Sequence, residues 1–296
     1  YPRQYDNWEL CNYHEFKSNT IKAEKIEAIS DGSRAGFKVV KKYLDSEIAQ
    51  NIWLYSDTGR IDFDTTLDWH EHHQVLKVAF PVDVLANTAT YETQFGHIER
   101  PTHANTSWDA AKFEVCAHKW ITVADSGYGV GLLNDCKYGF NTEGSTMKLT
   151  VLKCSQYPNA EADQGDHKLT YSIMAYEGNF CDAGLINEAY ALNQPFTVAE
   201  VKANSGSLAD EFSLVSCDKP NVIVETVKKA EADDGMIVRM YDAFNRRANA
   251  TITVADGFKA AYLCDLMENE IEELKFDGNK VTIPVSNFEI ATLKFI

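Results

Sequence analysis

Eight histidines and 44 acidic residues supply the groups with which this chain of 296 residues could hold a metal or move a proton. In Trp69-His70-Glu71-His72-His73, an extended strand would put His70 and His72 on one face, because strand side chains alternate. Two imidazoles so placed suit zinc or copper. No third ligand is evident, so the preferred reading is a strand end whose histidines hydrogen-bond to neighbours. The second set is His97-Ile98-Glu99-Arg100-Pro101-Thr102-His103. His97 and Glu99 share a strand face, and His103 could fold back past Pro101 to imitate a two-His, one-carboxylate site. Spacing across a proline turn fixes no such geometry, so an ordinary turn with Pro101 ending the strand is expected instead.

Gly127-Tyr128-Gly129-Val130-Gly131 contains Gly-x-Gly-x-Gly. A dinucleotide fingerprint needs a helix after it. Here Val130-Gly131-Leu132-Leu133 reads as another strand, so a hairpin with Tyr128 in its turn is expected. Cys116 and His118 share a strand face, yet an isolated pair lacks an orienting group and an oxyanion hole. A retaining glycosidase needs two carboxyl groups about 5 Å apart, a distance that residue types do not reveal. Asp163-Gln164-Gly165-Asp166-His167 is the most concentrated polar loop. It suits sugar hydroxyls or calcium, but no EF-hand ligand pattern follows it. Its plain reading is a turn opening a strand over 168–176.

These groups must be positioned mainly by strands. Ile61, Phe63, Thr65, Leu67 and Trp69 alternate with mostly polar residues, and Leu76, Val78 and Phe80 do the same. So do Phe113, Val115 and Ala117, then Met147, Leu149 and Val151, then Leu169, Tyr171, Ile173 and Ala175. The one helix expected lies over 182–192, where Leu185, Ile186, Ala189 and Leu192 share a side and Asp182 can cap the start. Beyond Phe212 the strands become short and regular, with turns at Asp234-Gly235, Asp256-Gly257 and Asp277-Gly278-Asn279. Two domains follow: a large β-sandwich over 1–205 and a small one over 206–296, divided in Ala203-Asn204-Ser205-Gly206-Ser207.

A formal charge of −16 disfavours nucleic acid and anionic membranes as partners, both of which reward Lys and Arg. No stretch has the apolar length of a membrane helix. The seven cysteines are odd in number and spread without Cys-x-x-Cys, as expected in a reducing, cytoplasmic setting. The chain opens Tyr1-Pro2-Arg3 without an initiator Met or a signal peptide, as a fragment or processed chain would.

From Gln94 the words Gln-Phe-Gly-His-Ile-Glu-Arg-Pro-Thr-His-Ala-Asn-Thr-Ser-Trp-Asp109 resemble a stretch found after the catalytic region of glycoside hydrolase family 38 α-mannosidases of the cytosolic and bacterial type. Phe113-Glu114-Val115-Cys116-Ala117-His118-Lys119-Trp120, Gly127-Tyr128-Gly129-Val130 and Leu133-Asn134-Asp135-Cys136-Lys137-Tyr138-Gly139 follow in the family's order. Asp163-Gln164-Gly165-Asp166-His167 and the opening Tyr5-Asp6-Asn7-Trp8 resemble it too.

The resemblance implies a mainly β fold: a large sandwich of the galactose-mutarotase-like supersandwich kind, then a smaller C-terminal sandwich. It implies the C-terminal part of a retaining, zinc-dependent enzyme that removes terminal α-linked mannose. The family's zinc and nucleophile belong to an N-terminal domain with a His-x-Asp, and no histidine here is followed two positions later by Asp. Zinc is therefore expected outside this chain and no catalytic residue within it. The partners implied are the N-terminal catalytic domain of the same polypeptide and an α-mannoside, with homo-oligomerisation left open. Tyr128 and Gly127, with Asp163 and Gln164, are the candidates for rimming the sugar. Tyr128 stands where Golgi and lysosomal relatives have Arg, and Ala175-Tyr176 where relatives usually have Pro-His.

Two other classes compete with this reading. A free-standing carbohydrate-binding module would bind mannosides alone, and an independent metalloenzyme would use His97, Glu99 and His103, or His70 and His72. If a catalytic domain is missing, one face should expose a large apolar patch.

Overall fold

Alternation of apolar and polar side chains builds most of the strands. The structure is a computed structural model that describes residues 4–10, 16–202, 205–207 and 209–296. It divides into two units, residues 1–93 with 98–195, and residues 94–97 with 196–296. The boundary expected at 205/206 from strand spacing lies between residues 193 and 215, where the described residues form no helix or strand. Ala203 and Asn204 of that stretch lie outside the described residues.

The first unit contains β1 (Ala23–Ser30), β2 (Arg34–Tyr43), β3 (Ser46–Tyr55), β4 (Arg60–Trp69), β5 (Val75–Pro81), β6 (Thr88–Thr93) and, from Ile98 on, β7 (Gly96–Pro101). Helix α1 (Ser107–Ala111) comes next, then β8 (Val115–Cys116), β9 (Trp120–Ala124), β10 (Tyr128–Asn134), β11 (Gly139–Glu143), β12 (Thr146–Lys153), β13 (Gly165–Glu177) and α2 (Leu185–Asn193). A nine-stranded sheet in the order β1-β2-β3-β4-β13-β10-β9-β6-β7 packs against a four-stranded one, β5-β12-β11-β8. Leu67, Trp69, Leu132, Phe140, Met147, Leu149 and Leu169 form the core of this sandwich. Each such side chain contributes about 1.5–3 kcal/mol on burial.

β10 departs from alternation because both its faces are covered. Val130 and Leu132 point into the sandwich core. Gly131, on the opposite face, lies under α2, and a Cβ there would stand 2.4 Å from Leu185 Cδ1. Two-sided burial is what turns a strand into a continuous apolar run.

Helix α2 starts at Leu185, later than expected. Its N-cap is Gly184 in a left-handed conformation (φ 81°), with no side-chain cap. Asp182 therefore does not cap the helix, because the turn before it needs the one residue type without a Cβ. Helix α1 was not expected at all. Thr106 accepts from the Asp109 N–H at 3.1 Å while the Asp109 carboxylate accepts from the Thr106 N–H at 3.2 Å, a reciprocal capping box.

The second unit holds β14 (Val215–Cys217), β15 (Val222–Lys229), β16 (Met236–Asp242), β17 (Ala248–Val254), β18 (Ala261–Cys264), β19 (Glu270–Leu274), β20 (Phe276–Asp277), β21 (Lys280–Val285) and β22 (Ile290–Phe295). Sheets β14-β17-β21-β20 and β15-β16-β22-β18-β19 enclose Val238, Met240, Ile252, Leu293 and Phe295. The protein is thus mainly β, a large sandwich followed by a small one.

Candidate functional site

Tyr128 opens β10, after the turn that ends β9. The Asp125 carboxylate accepts the N–H groups of Gly127 and Tyr128 at 2.9 and 3.0 Å, which fixes the turn and leaves the Tyr128 ring 39% exposed. Gly129 and Gly131 answer to packing rather than to a phosphate, whereas Gly127 faces open space. A Cβ at Gly129 would meet the Tyr176 ring at 2.3 Å, and Gly131 makes room for α2. Tyr176, directly opposite Gly129, is buried, and its hydroxyl shares a 2.6 Å hydrogen bond with Thr122 Oγ1. Burial pushes the Tyr176 phenol up. No helix follows the stretch, so it is a hairpin.

The second pair sits elsewhere. Asp163 has left-handed backbone (φ 57°), and its carboxylate accepts the Lys153 N–H at 2.8 Å. Gln164 donates to the Glu71 carbonyl at 2.7 Å, and His167 Nε2 lies 3.0 Å from the Asp163 carbonyl. The loop is the turn that opens β13. Gly165, at the start of β13, pairs with Trp69, whereas Glu177, at its end, pairs with Tyr128. The 13 residues of β13 span about 40 Å at ~3.3 Å per residue. The four candidates therefore form two separate places, and one sugar can touch only one of them.

The histidine sets are not gathered either. β4 ends at Trp69, so His70 and His72 lie beyond the strand that was to align them. His70 Nε2 pairs with Asp68 at 2.6 Å, and His73 Nδ1 lies 3.2 Å from Asp6 Oδ2. His97 packs edge-on against Phe288, with ring centroids 4.9 Å apart. Glu99 is exposed on β7, which ends at Pro101, and His103 stands 3.9 Å from Asp109 beside α1. Among the described residues no group of three or more His, Cys, Asp or Glu is placed to hold a metal ion.

Buried carboxylates serve structure. Asp62 accepts from Arg60, Ser172 and Tyr55 at 2.6–3.0 Å. Glu71 accepts from the Asp45 N–H and the Ser46 hydroxyl. Asp242 accepts Asn221 Nδ2 and the N–H groups of Phe244, Arg246 and Phe288. Glu92 pairs with Lys119 at 2.7 Å, and burial outweighs that cation to push the Glu92 carboxyl up.

A further junction escaped the reading of motifs one at a time. The opening Tyr5-Asp6-Asn7-Trp8 docks on residues 153–157. Asp6 accepts the N–H groups of Gln156 and Tyr157 at 3.0 and 2.9 Å, and Asn7 N–H donates to the Tyr157 carbonyl. Lys153 Nζ reaches the carbonyls of Asn7 and Glu9 while its own N–H binds Asp163. Two stretches 150 residues apart thus meet at one end of the sandwich. Only the opening Tyr5-Asp6-Asn7-Trp8 carried a signal, as a family-like word; residues 153–157 carried none.

The sequence matches the C-terminal domain of the family 38 glycosyl hydrolases over residues 1–161, and that family's C-terminal β-sandwich domain over 221–293. The chain belongs to glycoside hydrolase family 38. Human Alpha-mannosidase 2C1 is 35% identical over 305 residues, which cover 100% of this chain and 29% of that protein. Alpha-mannosidase G of Dictyostelium discoideum is 38% identical over 256 residues, covering 85% of this chain and 24% of its own length. A solved structure, an alpha-mannosidase from Enterococcus faecalis, superposes with a TM-score of 0.79 at 17% identity, over 93% of this chain and 35% of that one. The chain spans less than a third of the curated relatives it matches, and in them it is the C-terminal part.

Proposed function

We propose that this chain is the non-catalytic C-terminal β portion of a retaining, zinc-dependent α-mannosidase that releases terminal α-linked mannose. One observation carries the reading: curated relatives aligned along the chain are named alpha-mannosidases, and the match takes in only 29% of the human one. The residues described here do not fit zinc, since no set of three ligands converges. In this proposal zinc and nucleophile belong to the catalytic domain of the same polypeptide. This portion supports that domain and rims the sugar, through the Tyr128 turn or through Asp163 and Gln164. A cytoplasmic setting is supported by six free cysteines among the described residues. No helix among the described residues is long and apolar enough to cross a membrane.

An α-mannoside hydrolysis assay with added zinc tests the proposal. Turnover is expected from the longer polypeptide carrying this region and none from this chain alone. Turnover by this chain alone overturns it.

A further inference from the structure

The inner face of the nine-stranded sheet outgrows its cover. Residues paired directly across antiparallel strands lie on one side of the sheet. Leu169, Thr65, Gln50, Val39 and Ile26 make one such row. Exposure along it runs from 1% at Leu169 and 6% at Val39 to 62% at Ile26. Tyr171, Phe63, Ile52, Phe37 and Ala28 make the next row, from 3% exposed at Tyr171 to 52% at Phe37. Ile173, Ile61, Leu54 and Ala35 make a third, with Leu54 54% exposed.

The cause is the width of the second layer. β5 is an edge strand of the four-stranded sheet, and its Phe80 ring lies 5.5 Å from Phe63 and 6.1 Å from Tyr171. At ~4.8 Å per strand, β2 and β1 lie about 10–15 Å beyond β4. The core pattern nevertheless continues onto them. The opposite side of β1 and β2 carries Lys25, Glu27 and Lys38, with Lys25 and Glu27 paired at 2.9 Å. On the apolar side of this extension Ile26, Phe37 and Leu54 stand in water, while Val39 between them stays buried. Contiguous exposed apolar surface of this kind marks a binding face.

We infer that Ile26, Phe37, Ile52 and Leu54 form the docking face for the preceding part of the same polypeptide. The inference rests on the function proposed above. The matched family domain is a C-terminal one, so most of each relative's length precedes it. β1 is the first strand of the unit, and residues 16–22 lead into its Ala23 end, opposite Lys41 of β2. A second copy is the weaker occupant, because two chains of charge −16 repel each other.

Amide hydrogen exchange on this chain and on the longer polypeptide tests the inference. Exchange in β1 and β2 should be at least about tenfold slower in the longer polypeptide. The double variant F37D/L54D should abolish that difference while leaving this chain folded, since both side chains are already half in water. K38D, on the opposite side, should leave the protection intact. Equal exchange in the two proteins overturns the inference. So does protection that grows with the concentration of this chain alone, which would identify a second copy. A longer polypeptide that protects β1 and β2 yet hydrolyses no α-mannoside would remove the enzymatic reading and leave the docking face standing.

Discussion

Replacing Gly129 by alanine probes why a Gly-x-Gly-x-Gly run exists here. The new Cβ would stand 2.3 Å from Tyr176 Cζ and 2.4 Å from its hydroxyl oxygen. The ring has to move, and moving it breaks the buried 2.6 Å hydrogen bond to Thr122. Overpacking costs about 1–3 kcal/mol, and the lost hydrogen bond about 1 kcal/mol. Gly129 does not have positive φ, so alanine also stiffens the unfolded chain, a gain of about 0.4–1 kcal/mol. Gly129→Ala should therefore destabilise the first unit by about 1–3 kcal/mol. With Tyr176→Ala in place the obstruction is gone and only the gain remains, so the same change becomes neutral or slightly stabilising. Denaturant unfolding of the four proteins closes the cycle, with a coupling of about 2–4 kcal/mol. An equal cost of Gly129→Ala in both backgrounds would refute the packing account and return these glycines to a functional role.

Two further outcomes follow. Burial pushes the Asp6 carboxyl up, but the Gln156 and Tyr157 N–H groups and His73 outweigh it and hold the group below its ordinary value. A lowered carboxylate stabilises above the unfolded value near ~3.9 and loses that contribution as pH falls through the folded one. The melting-temperature gap between the natural protein and Asp6→Asn should thus be full at pH 6 and shrink below about pH 4; a gap constant down to pH 3 would contradict it. Burial, then the neighbouring Asp135, pushes the Cys136 thiol up to about 12. Both Cys116 and Cys136 are exposed, so accessibility does not separate them; iodoacetamide at pH 8 should alkylate Cys116 well before Cys136, as peptide mass mapping will show, and the reverse order would refute the shift.

Much of the β architecture was legible because one covered face imposes a two-residue period. Arg60–Trp69 and Gly165–Glu177 announce themselves this way. β1 did not: Ala-Glu-Lys-Ile-Glu-Ala-Ile-Ser is open to water on both faces for most of its length, so no alternation is enforced. α1 has five residues and no buried side chain, leaving only its capping box as a signal. Residue types in the polar loops were equally visible, but their placement was not. Tyr128 and Asp163 look like neighbours in a list of polar turns, and only the register of β13 sets them at opposite ends. Conversely, no local pattern joins Asp6 to Tyr157.

The position of β13 also governs how the first unit can be made. β1 to β4 form a meander of consecutive hairpins and can pair as they emerge. The other edge of β4 waits for a partner about a hundred residues downstream, and β10 waits for the same strand. During synthesis, then, a ten-residue run of β4 backbone stays bare until residue 174 has left the ribosome. Non-local pairing of this kind is slow, and open edges invite foreign strands. A nascent chain stalled between residues 70 and 165 is the species of this protein most in need of a chaperone.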